Sequence, residues 1–408
     1  MSKEYKLDEN ELWDGNTAGA HAFRQANLDV VAAYPITPST ALVEAYGNFK
    51  ANGYVDGEYV MVESEHAAMS ACVGAAAAGG RVATATSSQG FAFMVEVLYQ
   101  ASGMRLPIVL ELVNRGLAAP LNVNIDHGDM YLSRDTGWLS LGAFNPQEVY
   151  DFTLMAFKIS EEARLPMIVN QDGLLTSHTV ENTKTLPDDE AYRFVGEYKP
   201  VNPLLSTDRP ITYGAQTEEN WHFEHKARQH HDMIHSREII DRVFKEFKEL
   251  TGREYKATKS YLVDDAEIVI VCLGSTFGTA CIAADSMRKQ GVKAGVYTHK
   301  IIRPFPLEDI AKELSHVKVV AVLDRSSPGG AMGAFFNEYS GAFVNSVKKP
   351  ILCNYIYGLG GRDTTVELLE EVYVALQEDN KAGKLTHSLQ RFIGLRGPDM
   401  SFYDIGEK

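Results

Sequence analysis

Residues 59–90 read YVMVESEHAAMSACVGAAAAGGRVATATSSQG and set the fold of the region around them. Two short apolar runs, Tyr59–Glu63 and Arg81–Thr86, flank an alanine-rich helical segment that ends in paired glycines. A strand, a helix and a second strand within roughly thirty residues are typical of a βαβ unit, in which the two strands lie parallel. The stretch therefore predicts a parallel sheet covered by helices.

The same alternation continues on both sides of this stretch, from Asn16 to about Gly173. Further strand candidates are Asp29–Tyr34, Pro107–Val113 and Pro166–Asn170. Helix-like segments lie between them, so we predict an α/β first domain, with a parallel sheet and helices on both faces.

A second α/β pattern begins at Ala266 and alternates strand candidates with helical segments. Before it, residues 186–255 carry scattered prolines and polar turns and end in a charged helical segment, SREIIDRVFKEFKELTG (236–252), so we predict a long connector there. The expected domains are 1–255, which includes the connector, and 256–408. A chain of 408 residues is long enough for each to bury its own core.

The composition argues against several classes of function. A net charge of −15 disfavours nucleic acid, because binding to phosphate backbones depends on clustered Lys and Arg. The four cysteines, Cys72, Cys272, Cys281 and Cys353, form no C-x-x-C pair, so we expect no metal cluster on this chain. No export signal or apolar membrane span is present in the sequence, and we expect a soluble cytoplasmic protein without a membrane partner.

Four segments follow predicted strands and are the candidates for a functional site. They are Tyr34–Thr40, Ser64–Ala68, Ser87–Gly90 and Asn114–Pro120. In open α/β sheets the ligand crevice lies at the carboxyl ends of the strands, which predicts that these segments meet there.

Each of these segments also has a purely structural interpretation. The loop with two prolines could be an ordinary strand-to-helix turn with Ser39 or Thr40 as the N-cap. Glu65 could be an acidic residue of a first helical turn, favoured there by the helix dipole. Arg115 could form a surface salt bridge.

The order of the motifs gives a family resemblance. YPITPST (34–40), ESEHAAM (63–69), TATSSQG (84–90), NRGLAAPLNVNIDHGDM (114–130) and RDTGW (134–138) together resemble the α subunit of pyruvate:ferredoxin oxidoreductases. The resemblance extends over the first domain and continues less specifically through the second. It implies the pyrimidine domain of a thiamine diphosphate enzyme, followed by an α/β domain similar to the C-terminal domain of transketolases.

The resemblance implies a catalytic role for Glu65, as the glutamate that hydrogen-bonds the aminopyrimidine ring of thiamine diphosphate. A carboxylate there favours the imino tautomer, whose nitrogen takes the thiazolium proton. Further cofactor contacts would come from Tyr34, Pro35 and Ile36.

The resemblance also assigns substrate binding to Thr37 and Arg115. A 2-oxoacid needs a fixed cation for its carboxylate, and the planar guanidinium of Arg offers two parallel donors. Arg115 comes directly after a predicted strand, where such a donor can be rigid.

The metal half of a thiamine site is missing from the sequence. Such enzymes hold Mg²⁺, and through it the diphosphate, with a Gly-Asp-Gly segment, and none occurs here. Gly128-Asp129, for example, is followed by Met130. The magnesium and diphosphate anchor should therefore belong to a partner subunit, and this chain should hold no metal.

The resemblance implies a multi-subunit enzyme that converts pyruvate and coenzyme A reversibly to acetyl-CoA and CO₂ and reduces ferredoxin. The β subunit would anchor the diphosphate, and γ and ferredoxin-like δ subunits would complete the complex. The [4Fe-4S] clusters, the ferredoxin contact and most coenzyme A contacts would lie on those partners.

Two other motifs are weaker. His231 and His235 have the i, i+4 spacing of a zinc helix, but Asp232 replaces the glutamate of the H-E-x-x-H motif. Gly274–Gly278 matches no nucleotide-binding pattern and predicts a close strand-to-helix turn, and Gly329–Gly333 predicts a turn at a domain or subunit contact.

Two rival functions remain open at this point. The chain could act on another 2-oxoacid, such as 2-oxoglutarate, a branched 2-oxoacid or oxalate. Alternatively, it could be a non-catalytic α/β scaffold that kept the fold without the cofactor.

Overall fold

The computed structural model describes residues 3–396, which form two compact units. The first unit comprises the chain up to Val123 together with Asp129–Lys256 and Ile302–Pro304. The second comprises Asn124–Gly128, Ala257–Ile301 and the chain from Phe305 onward. No helix within residues 3–396 is long and apolar enough to cross a membrane.

Strands and helices alternate along most of the chain. The strands are β1 (Asn10–Trp13), β2 (Val30–Ala33), β3 (Glu58–Met61), β4 (Val82–Thr86), β5 (Ile108–Asn114), β6 (Leu139–Gly142), β7 (Met167–Asp172), β8 (Glu181–Lys184), β9 (Thr258–Tyr261), β10 (Ile268–Val271), β11 (Ala294–His299), β12 (Ile301–Arg303), β13 (Val319–Asp324), β14 (Ile351–Ile356) and β15 (Gln390–Phe392). The helices are α1 (Gly15–Gln25), α2 (Thr40–Asn52), α3 (Glu65–Ala78), α4 (Ser88–Gly103), α5 (Pro146–Ala163), α6 (Asp188–Val195), α7 (Glu219–Thr251), α8 (Thr276–Lys289), α9 (Leu307–Glu313), α10 (Ala334–Phe343) and α11 (Val366–Ala382).

The first unit is built on a seven-stranded sheet in the order β12-β6-β7-β5-β4-β2-β3. The pairs from β6 to β3 are all parallel, as predicted. All residues of β4 and β5 are buried, as expected of central strands covered on both faces. Two groups of helices cover the sheet: α3 packs with α4, and α1 packs with α2 and α5.

The predicted strands of the first domain are present, with ends that differ by a residue or two, but β1, β6 and β8 were not predicted. Local signals explain why α3 lies between its strands. Ser64 is extended and its hydroxyl accepts from the Ala67 N–H at 3.1 Å, which caps the start of the helix. Gly79 ends it with φ of 108°, a left-handed conformation that favours glycine.

The connector contains a much longer helix than the sequence indicated. We predicted a helical segment from Ser236, whereas α7 begins at Glu219. Its second half is anchored by four buried apolar residues, Ile240, Val243, Phe244 and Phe247, whereas the first half is held by polar contacts such as that from Arg105 Nη1 to Asp232 at 2.6 Å. The first half is mostly exposed and polar, so it lacks the apolar periodicity from which a helix is predicted.

The second unit has a six-stranded sheet in the order β15-β14-β13-β10-β11-β9. Its pairs are parallel except that β9 runs antiparallel to β11. β10 ends at Val271 and α8 begins at Thr276, so the predicted strand-to-helix turn at Gly274–Gly278 is confirmed. Gly333 is required because a Cβ there would collide with the carboxylate of Asp324, whose two oxygens accept from the first turns of α10.

Candidate active site

The four candidate segments follow four neighbouring strands of the first sheet. Tyr34–Thr40 follows β2, Ser64–Ala68 follows β3, Ser87–Gly90 follows β4 and Asn114–Pro120 follows β5, and the sheet order β5-β4-β2-β3 makes these strands adjacent. Since the strands are parallel, their carboxyl ends lie at the same edge. The structure therefore confirms that the segments share one edge of the sheet.

Glu65 is the first residue of α3 and is only 9% exposed. Among residues 3–396, no donor hydrogen-bonds its carboxylate, although Ser64 beside it caps the helix. The first-turn position agrees with the dipole interpretation, and neither Glu65 carboxylate oxygen is among the fully buried polar atoms that lack a partner. The arrangement leaves the Glu65 carboxylate available to a ligand.

Gly90, in the first turn of α4, lies directly against Glu65. A Cβ built on Gly90 would lie 2.6 Å from Glu65 Oε1 and 2.6 Å from Thr86 Oγ1. Any side chain at position 90 would therefore displace the carboxylate. Sequence reasoning identified the segment Ser87–Gly90 but did not identify this role of the glycine, whose only signal was its position after a strand at a helix start.

Arg115 and Thr37 are brought together, although 78 positions separate them in the sequence. The guanidinium Nη1 donates to the Thr37 carbonyl at 2.8 Å, and Nε donates to the Asn122 carbonyl at 3.0 Å. Arg115 is 6% exposed, and no carboxylate within residues 3–396 forms an ion pair with it. The interpretation of Arg115 as a surface salt bridge is therefore wrong.

Burial dominates the electrostatics of Arg115. Desolvation lowers the pKa of its guanidinium from the ordinary value, and the negative charge of Asp129 opposes that effect. A guanidinium held by carbonyl oxygens keeps its positive charge without a neutralising contact. The site therefore offers a rigid cation suited to an anionic ligand.

Hydrogen bonds hold the loop on both sides of Thr37, at Ile36 and at Pro38. The Asn16 amide Nδ2 donates to the Pro38 carbonyl at 2.9 Å, and the Ser39 hydroxyl donates to the Ile36 carbonyl at 2.8 Å. Ser39 is the N-cap residue of α2, as one of the two sequence alternatives had it, but its side chain makes no capping hydrogen bond to the helix.

The side chains of the loop are accessible. Thr37, Tyr34 and Pro35 are exposed and Ile36 is half-buried, so all four can meet a ligand. Their predicted cofactor and substrate contacts remain predictions.

Asp129 is a central residue of the site that sequence reasoning passed over. It is fully buried, and its carboxylate accepts from the backbone N–H groups of Ser88 and Arg115, both at 2.9 Å. It follows Gly128 in a loop without apolar periodicity, so no sequence pattern marked it as different from other loop acids.

No group of three or more potential metal ligands among His, Cys, Asp and Glu occurs within the described part of the chain. His231 and His235 stack at 4.0 Å on α7, and His231 Nδ1 contacts Asp232. Both histidines are exposed.

Comparison with known proteins gives the family. A family model for pyruvate flavodoxin/ferredoxin oxidoreductase, thiamine diphosphate binding, matches residues 21–245, and one for pyruvate:ferredoxin oxidoreductase core domain II matches residues 266–369. The chain belongs to this family.

Relatives in the family are similar along nearly their whole length. Pyruvate synthase subunit PorA of Thermotoga maritima is 44% identical over 94% of this chain and 97% of its own. PorA of Pyrococcus furiosus is 42% identical over 95% of this chain and 98% of its own. Ketoisovalerate oxidoreductase subunit VorA of Pyrococcus abyssi is 42% identical over 92% and 95%.

Solved structures support the predicted fold class. A 2-oxoglutarate:ferredoxin oxidoreductase from Magnetococcus marinus, with 2-oxoglutarate, coenzyme A and succinyl-CoA bound, matches with a TM-score of 0.68 at 20% identity, over 91% of this chain and 66% of that one. A split-gene transketolase matches with a TM-score of 0.51 at 14% identity, over 91% and 96%. At such identities the likeness shows the fold alone.

Proposed function

We propose that this chain is the pyrimidine-binding subunit of a pyruvate:ferredoxin oxidoreductase. The reaction is pyruvate + CoA + two oxidised ferredoxins → acetyl-CoA + CO₂ + two reduced ferredoxins + H⁺, and it runs in both directions. The observation that carries the proposal is the nearly buried Glu65 carboxylate, which has no donor within residues 3–396 and lies against Gly90. The family to which the chain belongs supports the reaction class.

The residues present fit thiamine diphosphate. Glu65 is a hydrogen-bond acceptor for an aminopyrimidine ring nitrogen, and the absence of a side chain at Gly90 lets the Glu65 carboxylate take its position. Tyr34, Pro35 and Ile36 would form further contacts. When bound, the cofactor supplies the nucleophilic carbon and the electron sink that decarboxylation of a 2-oxoacid requires. Glu65 contributes by holding and exchanging a proton with the ring nitrogen.

The substrate would bind where Arg115 and Thr37 meet. The Arg115 guanidinium would hold the carboxylate of the 2-oxoacid, and the Thr37 hydroxyl would donate to an oxygen of the substrate. The loop carbonyl oxygens already fix the guanidinium, so little ordering is needed when the substrate binds.

The remaining cofactors would come from partner subunits. The sequence has no Gly-Asp-Gly segment for Mg²⁺, and its four cysteines are spread through both units, with Cys72, Cys272 and Cys353 buried and Cys281 half-buried. We infer that β supplies the magnesium and diphosphate anchor, that γ completes the complex, and that the δ subunit carries the [4Fe-4S] clusters that meet ferredoxin. Coenzyme A would bind mainly on these partners, and the complex would work in the cytoplasm.

A second candidate substrate is a branched 2-oxoacid. VorA of Pyrococcus abyssi is about as similar to this chain as the PorA relatives are, so identity does not separate the two. Both substrates carry the same carboxylate for Arg115 and differ only in the apolar side chain. Discrimination between them rests on the fit of that side chain, which is worth about 1–3 kcal/mol per methylene.

The test is to produce the chain with its partner subunits and to measure kcat/KM for pyruvate, 2-ketoisovalerate and 2-oxoglutarate with coenzyme A and ferredoxin. We expect pyruvate to be preferred by at least tenfold. Preference for 2-ketoisovalerate would replace pyruvate by the second candidate. Full activity of a complex that contains the Glu65→Ala variant would contradict the catalytic assignment and support a scaffold role.

A further inference from the structure

The Asp129 carboxylate joins two loops of the candidate active site. Oδ2 accepts from the backbone N–H groups of Ser88 and Arg115, both at 2.9 Å. Oδ1 accepts from the Asn114 amide at 3.0 Å and from the Met130 N–H at 2.8 Å. A carboxylate can accept about four hydrogen bonds, so its capacity is filled.

The two donors on Oδ2 belong to neighbouring strand ends. Ser88 begins α4 directly after β4, and Arg115 directly follows β5, which pairs with β4 in parallel. The Ser88 hydroxyl adds a second link between the loops, since it contacts the Gly116 carbonyl at 2.5 Å. Ser88 has φ of 50°, a left-handed conformation that costs energy for a residue other than glycine and needs support from its surroundings.

The position of the Arg115 backbone decides where its guanidinium lies. The side chain donates to the Thr37 and Asn122 carbonyls, while the Asp129 carboxylate fixes the N–H at its base. The other loop joined by Asp129 leads to Gly90, against which Glu65 packs. Asp129 itself is fully buried and cannot be a group that the substrate meets from solvent.

We propose that Asp129 is the positioning residue of the substrate site, which clamps the loop after β5 to the first turn of α4 and so sets the place of the Arg115 guanidinium. This inference rests on the proposed substrate role of Arg115. The backbone N–H groups of Ser88 and Arg115 both point at Asp129 Oδ2. Position 129 must therefore carry a hydrogen-bond acceptor.

The test compares two substitutions of Asp129 in the assembled complex. Asp129→Ala removes every acceptor, and we expect KM for pyruvate to rise at least tenfold. Asp129→Asn keeps an oxygen that can still accept from Ser88 and Arg115, but its new NH₂ group faces the Met130 N–H, which loses its acceptor, and the Asn114 amide must turn its oxygen toward that group. Asn should therefore rescue KM in part, and it provides a second variant if Asp129→Ala does not fold.

Asp151→Asn is the matched control for a purely structural effect. Asp151 is equally buried in the same unit and accepts from Arg253, Tyr255 and Gln147, none of which belongs to the candidate site. The control should lower thermal stability and leave KM unchanged. A rise in KM for the Asp151 variant equal to that for the Asp129 variants would overturn the positioning role, as would wild-type KM in both Asp129 variants.

Arg115→Ala separates failure of this inference from failure of the proposed function. If Arg115→Ala leaves KM unchanged, Arg115 does not bind the substrate and the proposed role fails with it. If Arg115→Ala raises KM but the Asp129 variants do not, only the positioning role fails. If Asp129 acts through Arg115, the effects of Asp129→Asn and Arg115→Lys on KM should not add in the double variant.

Discussion

At the scale of single residues, substitution of Glu65 gives the most direct test of the proposed chemistry. Glu65→Gln keeps the shape of the side chain but cannot share a proton with a ring nitrogen. We expect the complex to assemble normally and its turnover to fall by about 100-fold or more, the usual contribution of a positioned proton-transfer group. Exchange of the thiazolium C2 proton of bound thiamine diphosphate, followed by NMR, measures the step directly.

Assembly of the Glu65→Gln complex is checked by gel filtration beside wild type. If the variant exchanges the C2 proton at the wild-type rate, Glu65 has no part in activating the cofactor.

Arg115 allows a graded series in which charge and shape are removed separately. In the proposed complex the Arg115 guanidinium and the substrate carboxylate form a buried charge pair. Arg115→Ala should raise KM for pyruvate severely, because loss of one partner of such a pair costs about 2–5 kcal/mol. Arg115→Lys keeps the positive charge but loses the two parallel donors of the planar guanidinium, so its KM should lie between those of wild type and Arg115→Ala. Thr37→Val should cost less, about 0.5–1.5 kcal/mol, because it removes one neutral hydrogen bond.

The Arg115 series is measured as kcat/KM for pyruvate and for 2-oxoglutarate. Unchanged pyruvate turnover in Arg115→Ala would place the substrate carboxylate elsewhere and remove the main support for the substrate site.

Residues of the site differed in how far the sequence revealed them. Glu65, Thr37 and Arg115 follow strands directly, and strand ends can be predicted from apolar runs. Asp129 could not be found in this way, because two of its partners are the backbone N–H groups of Ser88 and Arg115, which lie in other loops. The hydrogen bonds that link these loops depend on how the chain is placed in three dimensions, which no local sequence pattern encodes.

At the scale of elements, the packing of β5 on α5 contains a buried acid. The Thr153 hydroxyl contacts both the Glu111 carboxyl and the Val149 carbonyl. One hydroxyl proton cannot serve two acceptors, so a protonated Glu111 satisfies the arrangement best. Burial raises the pKa of Glu111 to about 8, and hydrogen bonds from Thr153 and Gln171 lower it only in part.

The raised pKa of Glu111 predicts a loss of stability as pH rises. The contribution of Glu111 to the free energy of unfolding is fully present below its unfolded pKa of 4.5 and is lost as pH rises through the folded pKa of about 8. Between these limits the loss is on the order of 5 kcal/mol at most. Glu111→Gln stays neutral, so its unfolding free energy should depend less on pH, as measured by urea unfolding of the full chain between about pH 5 and pH 8.

Glu181→Gln is the control, since Glu181 is an exposed acid of the same unit. Identical pH slopes for wild type and Glu111→Gln would mean that Glu111 is not protonated in the folded chain.

The two kinds of element were predictable to different degrees. Central strands such as β4 and β5 are buried on both faces and rich in apolar residues, and they were found with small errors at their ends. β6 was missed because LSLG is short and carries a serine and a glycine, which weaken a strand signal. The exposed half of α7 was missed because helix formation propagates from an anchored segment into residues that need no apolar face of their own.

At the scale of the whole molecule, the proposed function makes this chain one part of a divided site. Its first unit holds Glu65, Thr37 and Arg115, while a magnesium anchor is absent from the sequence. Its net charge of −15 disfavours an acidic electron carrier on most of its surface, which supports the proposal that ferredoxin contacts a partner subunit. A division of this kind makes cofactor binding depend on assembly.

The isolated chain should therefore bind thiamine diphosphate poorly. Glu65 and the loop at Tyr34–Ile36 can contact only the pyrimidine end, whereas Mg²⁺ bridges restrain the charged diphosphate. Calorimetry should give at least 100-fold weaker binding for the lone chain than for the reconstituted complex, and Mg²⁺ should strengthen binding only in the complex. The Glu65→Ala complex is the control, because it loses the pyrimidine contact and keeps the metal anchor. Magnesium-dependent micromolar binding by the lone chain would show that the anchor lies on this subunit after all.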